Sequence, residues 1–462
     1  MSLVSDQILE QTLTVLKKKP LEGYEIYLEE SSHFGVESKE GRVDSLLASR
    51  SWGMAIRVLN RQSMGFSYIT SSKASLSWEK DFSIDLERII DEAMASTEQV
   101  SPDPCYDFAP DLKSSLPSLP IYDGTLMGIS EKVKIEKAML LEEAARAVDP
   151  KRIQKVRKAS YQDTFSQRTL INSNGLRFSY PFTLVSTSVM AVAEESGESE
   201  MGWEFDFSHF FSDLDVEKVG KESARKALER LGGRRIPSGL YPVLFRNHVV
   251  SELLSLLSHS FLAEQIQKGK SPLKGKLGER YFSPHISIID DGLHPKGIST
   301  SPIDGEGTPT QRTRLVNRGE IAGYLYDRYW ANRENLQPPL PSTGNSRRSG
   351  IHSPPRLGIS NLYIEPGEDS MDQLIKELRK GLVIEEVMGL HTVDPISGEF
   401  SLGCEGDWVE KGEKLHPAKS IAIAGNLFKL FQDIVKVGND LRFFGSVGSP
   451  SLLVEKLVIS GD

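Results

Sequence analysis

Five prolines between Ser101 and Pro120 split the first half of this chain into two matching patterns, and that recurrence restricts the fold most. Proline lacks an amide proton and fixes φ, so the stretch holding Pro102, Pro104, Pro110, Pro117 and Pro120 reads as an extended connector. Before it, Ile8, Leu9, Leu13 and Leu16 recur at helical spacing and Pro20 stops the run, which predicts a helix over 6–19. Strand-like runs follow at 24–29, 34–39, 42–48, 53–59 and 64–69, separated by turn signals such as Glu40-Gly41 and Asn60-Arg61-Gln62. A helix over 84–96 closes the set. After the connector the order recurs: a helix over 129–147, strands near 152–162, 166–172, 176–192 and 199–208, and a helix over 214–231. Helix, antiparallel strands, helix, twice over, is the signature of an internal duplication. Coincidence in a strand-rich chain is the alternative.

Gly232-Gly233 and Pro237-Ser238-Gly239 read as a hinge. They predict two domains, 1–235 with the connector at 101–120, and 236–462. Beyond the hinge come a strand at 241–245 and an apolar helix over 248–267. Short β-patterned runs follow at 286–289, 362–364, 382–387 and 452–459, with helices only near 371–379 and 427–437. The expected class is α+β: an N-terminal α/β domain of helix–sheet–helix units and a β-rich C-terminal domain.

Charge narrows the function classes. Lys+Arg 55 against Asp+Glu 64 leaves −9, and no basic run exceeds Lys17-Lys18-Lys19, which weighs against a nucleic-acid partner. No apolar run approaches the roughly 18–20 residues that span a bilayer. The start, Met1-Ser2-Leu3-Val4-Ser5-Asp6, lacks a basic segment followed by an apolar one. A cytoplasmic protein without a membrane partner is expected. Cys105 and Cys404 have neither metal-type spacing nor a disulfide framework.

Candidate chemistry is sparse. His248, Glu252 and His259 fall on one stripe of the post-hinge helix. At about 1.5 Å rise per residue, His259 stands roughly 16 Å from His248 along the axis. Ligands of one zinc each lie about 2 Å from it, so one straight helix cannot unite the three. His248 and Glu252 read better as a surface pair. Asp290, Asp291, Asp304 and Glu306, with His285 and His294 nearby, match a cation cluster or turns after short strands, and the turn reading is preferred. The loop Gly344-Asn345-Ser346-Arg347-Arg348 has the donors to grip a carboxylate or phosphate, or is an ordinary polar loop. Nucleophile-elbow, P-loop and dinucleotide fingerprints are missing. Residue chemistry alone gives no catalytic set.

A family resemblance goes further. Asp290-Asp291-Gly292, Asp304-Gly305-Glu306-Gly307-Thr308-Pro309, Gly323-Tyr324-Leu325-Tyr326-Asp327 and Ser342-Thr343-Gly344-Asn345-Ser346-Arg347-Arg348 resemble the TldD/PmbA family, once labelled modulators of DNA gyrase. Asn361-Leu362, Pro366-Gly367, Ala424-Gly425-Asn426-Leu427 and Val447-Gly448-Ser449-Pro450 are similar to its later motifs. The N-terminal half fits more loosely, through 53–58 and Gly65-Phe66. The resemblance implies an α/β N-terminal domain and a barrel-like C-terminal one. TldD-type members carry His-Glu-x-x-x-His on a helix and cleave peptides with zinc. PmbA-type members, also called TldE, lack that set and pair with a TldD-type subunit. Here the matching stretch is Leu254-Ser255-Leu256-Leu257-Ser258-His259. Leu254 replaces the first ligand, Ser255 replaces the glutamate base, and only His259 survives. Leucine has no lone pair to give, and serine at neutral pH is no general base. Lys436 falls roughly where TldD-type chains supply a cysteine ligand.

The resemblance therefore implies a PmbA-type, non-catalytic subunit of a cytoplasmic peptidase complex, with no zinc or other cofactor of its own. Its partners would be a zinc-bearing TldD-type subunit and a peptide or unfolded chain, in a role like microcin maturation, with a homodimer when isolated. His259, Asp290, Asp291, Glu306, Arg347 and Arg348 are the peptide-binding candidates. A self-sufficient peptidase using His259, Asp290 and Glu306, and a gyrase modulator, are the alternatives.

Overall fold

The computed structural model describes residues 3–71, 82–112, 115–334 and 340–461. In the N-terminal half, helix α1 (Leu3–Leu16) precedes strands β1 (Gly23–Lys39), β2 (Arg42–Asn60) and β3 (Ser63–Ser71) and helix α2 (Phe82–Thr97). Helix α3 (Glu131–Val148), strands β4 (Lys155–Asn172), β5 (Arg177–Glu195) and β6 (Glu198–Ser208) and helix α4 (Val216–Glu229) repeat that order. All six strands form one antiparallel sheet in the order β3-β2-β1-β4-β5-β6, joined at the centre by the β1–β4 pair. Two three-strand units thus meet edge to edge, each numbered outward from the middle, as a duplicated unit requires.

Matching glycines strengthen the point. A Cβ on Gly65 in β3 would lie 2.0 Å from the Ala93 carbonyl oxygen, and one on Gly202 in β6 would lie 2.0 Å from that of Ser223. In each unit a third-strand glycine, followed by an aromatic residue, lets the closing helix press against the sheet. Residues 101–120 form no helix or strand, as their prolines dictate; 113 and 114 lie outside the described residues.

The expected strands were too short. The runs at 24–29 and 34–39 are one strand, because Glu30, Ser31, Ser32 and His33 pair with 49–52 on one side and 164–167 on the other. Serine has weak strand preference, but a backbone paired on both sides has all its polar groups satisfied.

Alternation sorts the two faces of this sheet. Ile26, Leu28, Met54, Ile56 and Val58 pack with Leu9, Leu13, Leu16, Ile89 and Ile90 of α1 and α2. Tyr27, Ala55 and Leu170 face the other way and pack with Ile303 and Ile351 from the C-terminal half. Arg57 shares that second face by the same alternation.

The C-terminal half opens with strand β7 (Gly239–Phe245) and helix α5 (Asn247–Ser258). The helix expected over 248–267 is broken. A 3-10 turn spans His259–Phe261, Leu262 is extended at ψ 128°, and a short helix α6 covers Ala263–Gln267. Leu262 bridges to Leu325, and the Ala263 amide donates to the Leu325 carbonyl at 2.9 Å. An isolated β-bridge to a distant segment thus interrupts a helix that the local sequence favours.

Strands β8 (Ile288–Asp291), β9 (Arg312–Asn317) and β10 (Glu320–Ile321) follow, then helix α7 (Arg328–Arg333), the short pair β11 (Ser346–Arg347) and β12 (Arg356–Leu357), and β13 (Leu362–Ile364). Helix α8 (Met371–Leu378) leads to β14 (Lys380–Met388), β15 (Glu399–Glu410), β16 (Glu413–Asn426), helix α9 (Leu427–Gln432), β17 (Ile434–Val437), β18 (Arg442–Phe444), β19 (Val447–Ser449) and β20 (Leu452–Ser460). The helix expected over 427–437 stops at Gln432, and 434–437 pairs with β20 instead. Strands β16-β15-β14-β7-β20 lie side by side, and the β16–β20 pairing closes them into a five-stranded barrel. Sheet β10-β9-β8-β13-β19-β18 lies beside it, and residues from both sheets and α5 share one core. No helix among the described residues is long and apolar enough to cross a membrane.

Candidate functional site

Helix α5 carries the stretch matched to the catalytic motif, and its two faces differ. Val250, Leu253, Leu254 and Leu257 are buried in the core. His248, Ser251, Glu252 and Ser255, at helical offsets of 3, 4 and 7, line a cleft of about 820 Å³. The opposite wall is β6. Met201 and Trp203 are 43% and 50% exposed there. Trp203 stacks on Phe205 at 4.7 Å between centroids, and Phe205 meets Phe444 at 6.0 Å. Strand β14 closes the cleft with Glu385, Glu386 and Val387.

Several of the charges around it are paired. Lys226 and Arg442 both bind Glu204, at 2.7 and 2.6 Å. Burial pushes that carboxyl upward, but the two cations prevail and hold it near 2. Arg230 pairs with Glu386 and Lys419 with Glu200. His248 donates from Nε2 to the Glu385 carbonyl at 2.5 Å, because a carbonyl can only accept. Burial drives its pKa down to about 4, with Lys226 adding to the effect. It is a neutral imidazole whose Nε2 proton is committed to the barrel. Burial, then Glu386, raises Glu252.

The outer edge of β6 is capped. Arg230 donates to the Met201 carbonyl at 2.9 Å, Lys226 to that of Trp203 at 3.3 Å and Arg442 to that of Phe205 at 2.5 Å. Cations on alternate carbonyls protect an edge strand from pairing. Across the cleft, β14 pairs with β7 only as far as Ile384, so among the described residues Glu386–Met388 have no strand partner on that side.

The motif positions are not gathered at one point. Leu254 is fully buried, Ser255 faces the cleft, and His259 is exposed past the end of α5. Lys436 pairs with Asp369 and Glu377, each at 3.3 Å. Cys404 is buried and free. Among the described residues no group of three or more His, Cys, Asp or Glu side chains is placed to hold a metal ion.

The acidic motifs of the C-terminal half turn inward. Asp290 accepts from Asn345 Nδ2 and the Ser360 amide, both at 2.7 Å. Asp291 accepts from the Leu293 amide at 2.9 Å. Asp304 accepts from the amides of Glu306, Thr308 and Ser346 at 2.9–3.0 Å. Glu306 accepts from Arg57 Nη1 at 3.1 Å. Arg57 in turn grips Glu25 with Nε and Nη2, both at 2.8 Å, and Arg348 reaches the same Glu25. This buried network ties β1 and β2 to the loops around Glu306 and Arg348. Burial and then Glu306 push Asp304 and Asp327 up to about 7. Sequence reading missed Glu25, Arg57 and Trp203. Arg57 had a signal: a lone charge in the apolar run Met54-Ala55-Ile56-Arg57-Val58-Leu59.

Comparison with known proteins agrees with this architecture. Three family descriptions match in succession: PmbA/TldA metallopeptidase domain 1 over 24–97, the central domain over 126–231 and the C-terminal domain over 238–461. A solved Thermotoga maritima protein, described as a candidate modulator of a DNA gyrase, superposes with a TM-score of 0.86 and 31% identity, covering 98% of this chain and 100% of that one. The chain belongs to the PmbA/TldD family. Metalloprotease PmbA of Escherichia coli O157:H7 is 29% identical over 461 residues, 98% of this chain and 96% of that protein. TldE from Thermococcus kodakarensis shares the fold, with a TM-score of 0.86 at 22% identity over 98% of this chain and 100% of that one.

Proposed function

We propose that this chain is the PmbA-type, non-catalytic subunit of a TldD-type zinc metallopeptidase complex that processes peptides or unfolded chains. One observation carries the reading: the helix position matched to a zinc ligand holds Leu254, packed in the core, and its neighbour is Ser255 rather than a carboxylate. Neither the metal nor the base of hydrolysis has a side chain there. The cleft supplies what a binding subunit needs. Trp203 and Met201 offer an apolar wall, and the free β14 edge at Glu386–Met388 offers backbone groups to an extended guest.

An exposed apolar arm supports pairing with a partner. Residues 42–50 at the β1–β2 tip are exposed on both faces, and Val43, Leu46 and Leu47 are 41%, 45% and 58% exposed. An apolar hairpin arm of this kind suits a contact with a second subunit. The arm and the cleft together fit pairing with a TldD-type chain in the cell and with itself when isolated.

The test is co-expression with a TldD-type chain. The complex is expected to cleave an unfolded casein-type substrate in a chelator-sensitive way, and this chain alone is expected to be inert. Trp203→Ala should raise the KM of the complex several-fold while leaving assembly intact. Chelator-sensitive cleavage by the isolated chain refutes the reading.

A further inference from the structure

A second cavity, of about 430 Å³, shares no lining residue with the cleft. It lies on the side of the N-terminal sheet away from its helices, between β4 and β5 and the loops at 298–305 and 346–350. Three guanidiniums line it, from Arg168, Arg347 and Arg348, and their needs are unequally met. Arg168 donates from Nε to Glu29 at 3.1 Å and lies 4.6 Å above the Phe182 ring. Arg347 donates from Nη2 to the Ser299 carbonyl at 3.0 Å and, among the described residues, makes no ion pair. Asp290 acts on it only at longer range, and burial holds its pKa below the usual value. Arg348, 5% exposed, donates from Nε to the Gly305 carbonyl at 2.7 Å and pairs with Glu25, yet its Nη1 is buried without a partner. The Ser346 hydroxyl, on the same wall, is buried and unpartnered too.

Unmet donors are costly: a buried group without its partner loses about 1–3 kcal/mol, and more when charged. Native chains keep few of them, and each asks for an acceptor. The carboxyls on this wall do not supply one. Glu29 is engaged by Arg168, and Asp304 spends its oxygens on backbone amides. What is missing is an anion with several acceptor oxygens, the group that guanidinium forks match best.

We propose that this cavity is an oxyanion site, in which Arg347 and Arg168 clasp a carboxylate or phosphate from solution and Arg348 and Ser346 stand behind them. The space exceeds that of a bare ion and admits one or two residues of a peptide ending in its free carboxylate. The site is independent of the peptide cleft, so failure of either reading leaves the other standing.

The full-length chain, titrated calorimetrically in a weakly coordinating buffer, tests it with three probes: inorganic phosphate, N-acetyl-trialanine as the free acid, and the same peptide as its amide. Binding of the free acid but not the amide assigns a peptide terminus, and binding of phosphate alone assigns a free ion; both support the site. Arg347→Gln should weaken the bound probe about tenfold or more, the worth of one charge-assisted hydrogen bond. Arg168→Gln is the second variant in case the first fails to fold, with the melting curve as the check. Absence of binding by phosphate and free acid, binding of the amide as tight as that of the free acid, or full affinity in the folded variants overturns the proposal.

Discussion

Replacing Arg57 by Met tests whether the buried charge network holds the two halves of this chain together. The methionine keeps much of the arginine stem and removes the guanidinium. In the native protein that guanidinium makes two hydrogen bonds to Glu25 and one to Glu306, and the side chains are 6%, 1% and 8% exposed. Breaking a buried ion pair from one side costs about 3–5 kcal/mol, because the abandoned carboxylates stay desolvated. Glu25 keeps Arg348, so the lower end of that range, about 3 kcal/mol, is expected. Urea unfolding followed by circular dichroism reads it. The double variant Arg57→Met/Glu306→Gln should recover about 1–2 kcal/mol, since it removes a stranded charge. The pH dependence has a definite sign. In the native protein burial raises Glu25, but Arg57 and Arg348 overcome it and leave its pKa lowered. That stabilisation is present above the unfolded pKa and is lost on acidification. In the variant burial gains weight, so the gap between native protein and variant should narrow from pH 7 to pH 4. A loss under about 1 kcal/mol, or a gap that widens on acidification, refutes the account.

Three further outcomes follow from other parts of the structure. His248, with its folded pKa lowered to about 4, should remain neutral from pH 7 to pH 5 with its proton on Nε2, as read by nitrogen NMR shifts; its contribution to stability is complete above the unfolded pKa near 6.5 and is lost as pH falls toward 4. A midpoint near 6.5 in the folded chain would contradict this. Gly65→Ala and Gly202→Ala should each destabilise by about 1–3 kcal/mol in thermal or urea unfolding, because the new Cβ meets a helix carbonyl oxygen at 2.0 Å in both units; tolerance at either site would weaken the equivalence of the two units. Elemental analysis of the dialysed chain should find far less than one zinc per molecule, whereas one zinc lost on His259→Ala would reverse the subunit proposal.

Much of this protein was legible in local sequence. Helical stripes such as Ile8-Leu9-Leu13-Leu16 and strand alternation repeat over a few residues, so they announce themselves without tertiary context, and the doubled helix–strand–helix order around the prolines survives in the sheet order. Long-range contacts decided the rest. Ser31 and Ser32 became mid-strand only because strands far along the chain flank them, and the α5 helix ends early because Leu262 and Ala263 meet Leu325. Residues 434–437 are a strand because β20 offers them an edge. The Asp290, Asp304 and Glu306 motifs read as turns after short strands, which says nothing of where their carboxylates go; these lie inside, with amides or guanidiniums supplied from elsewhere in the fold. Sequence shows that a residue carries charge; only the folded chain shows whether water or another residue answers it, because that partner is chosen by packing and not by spacing.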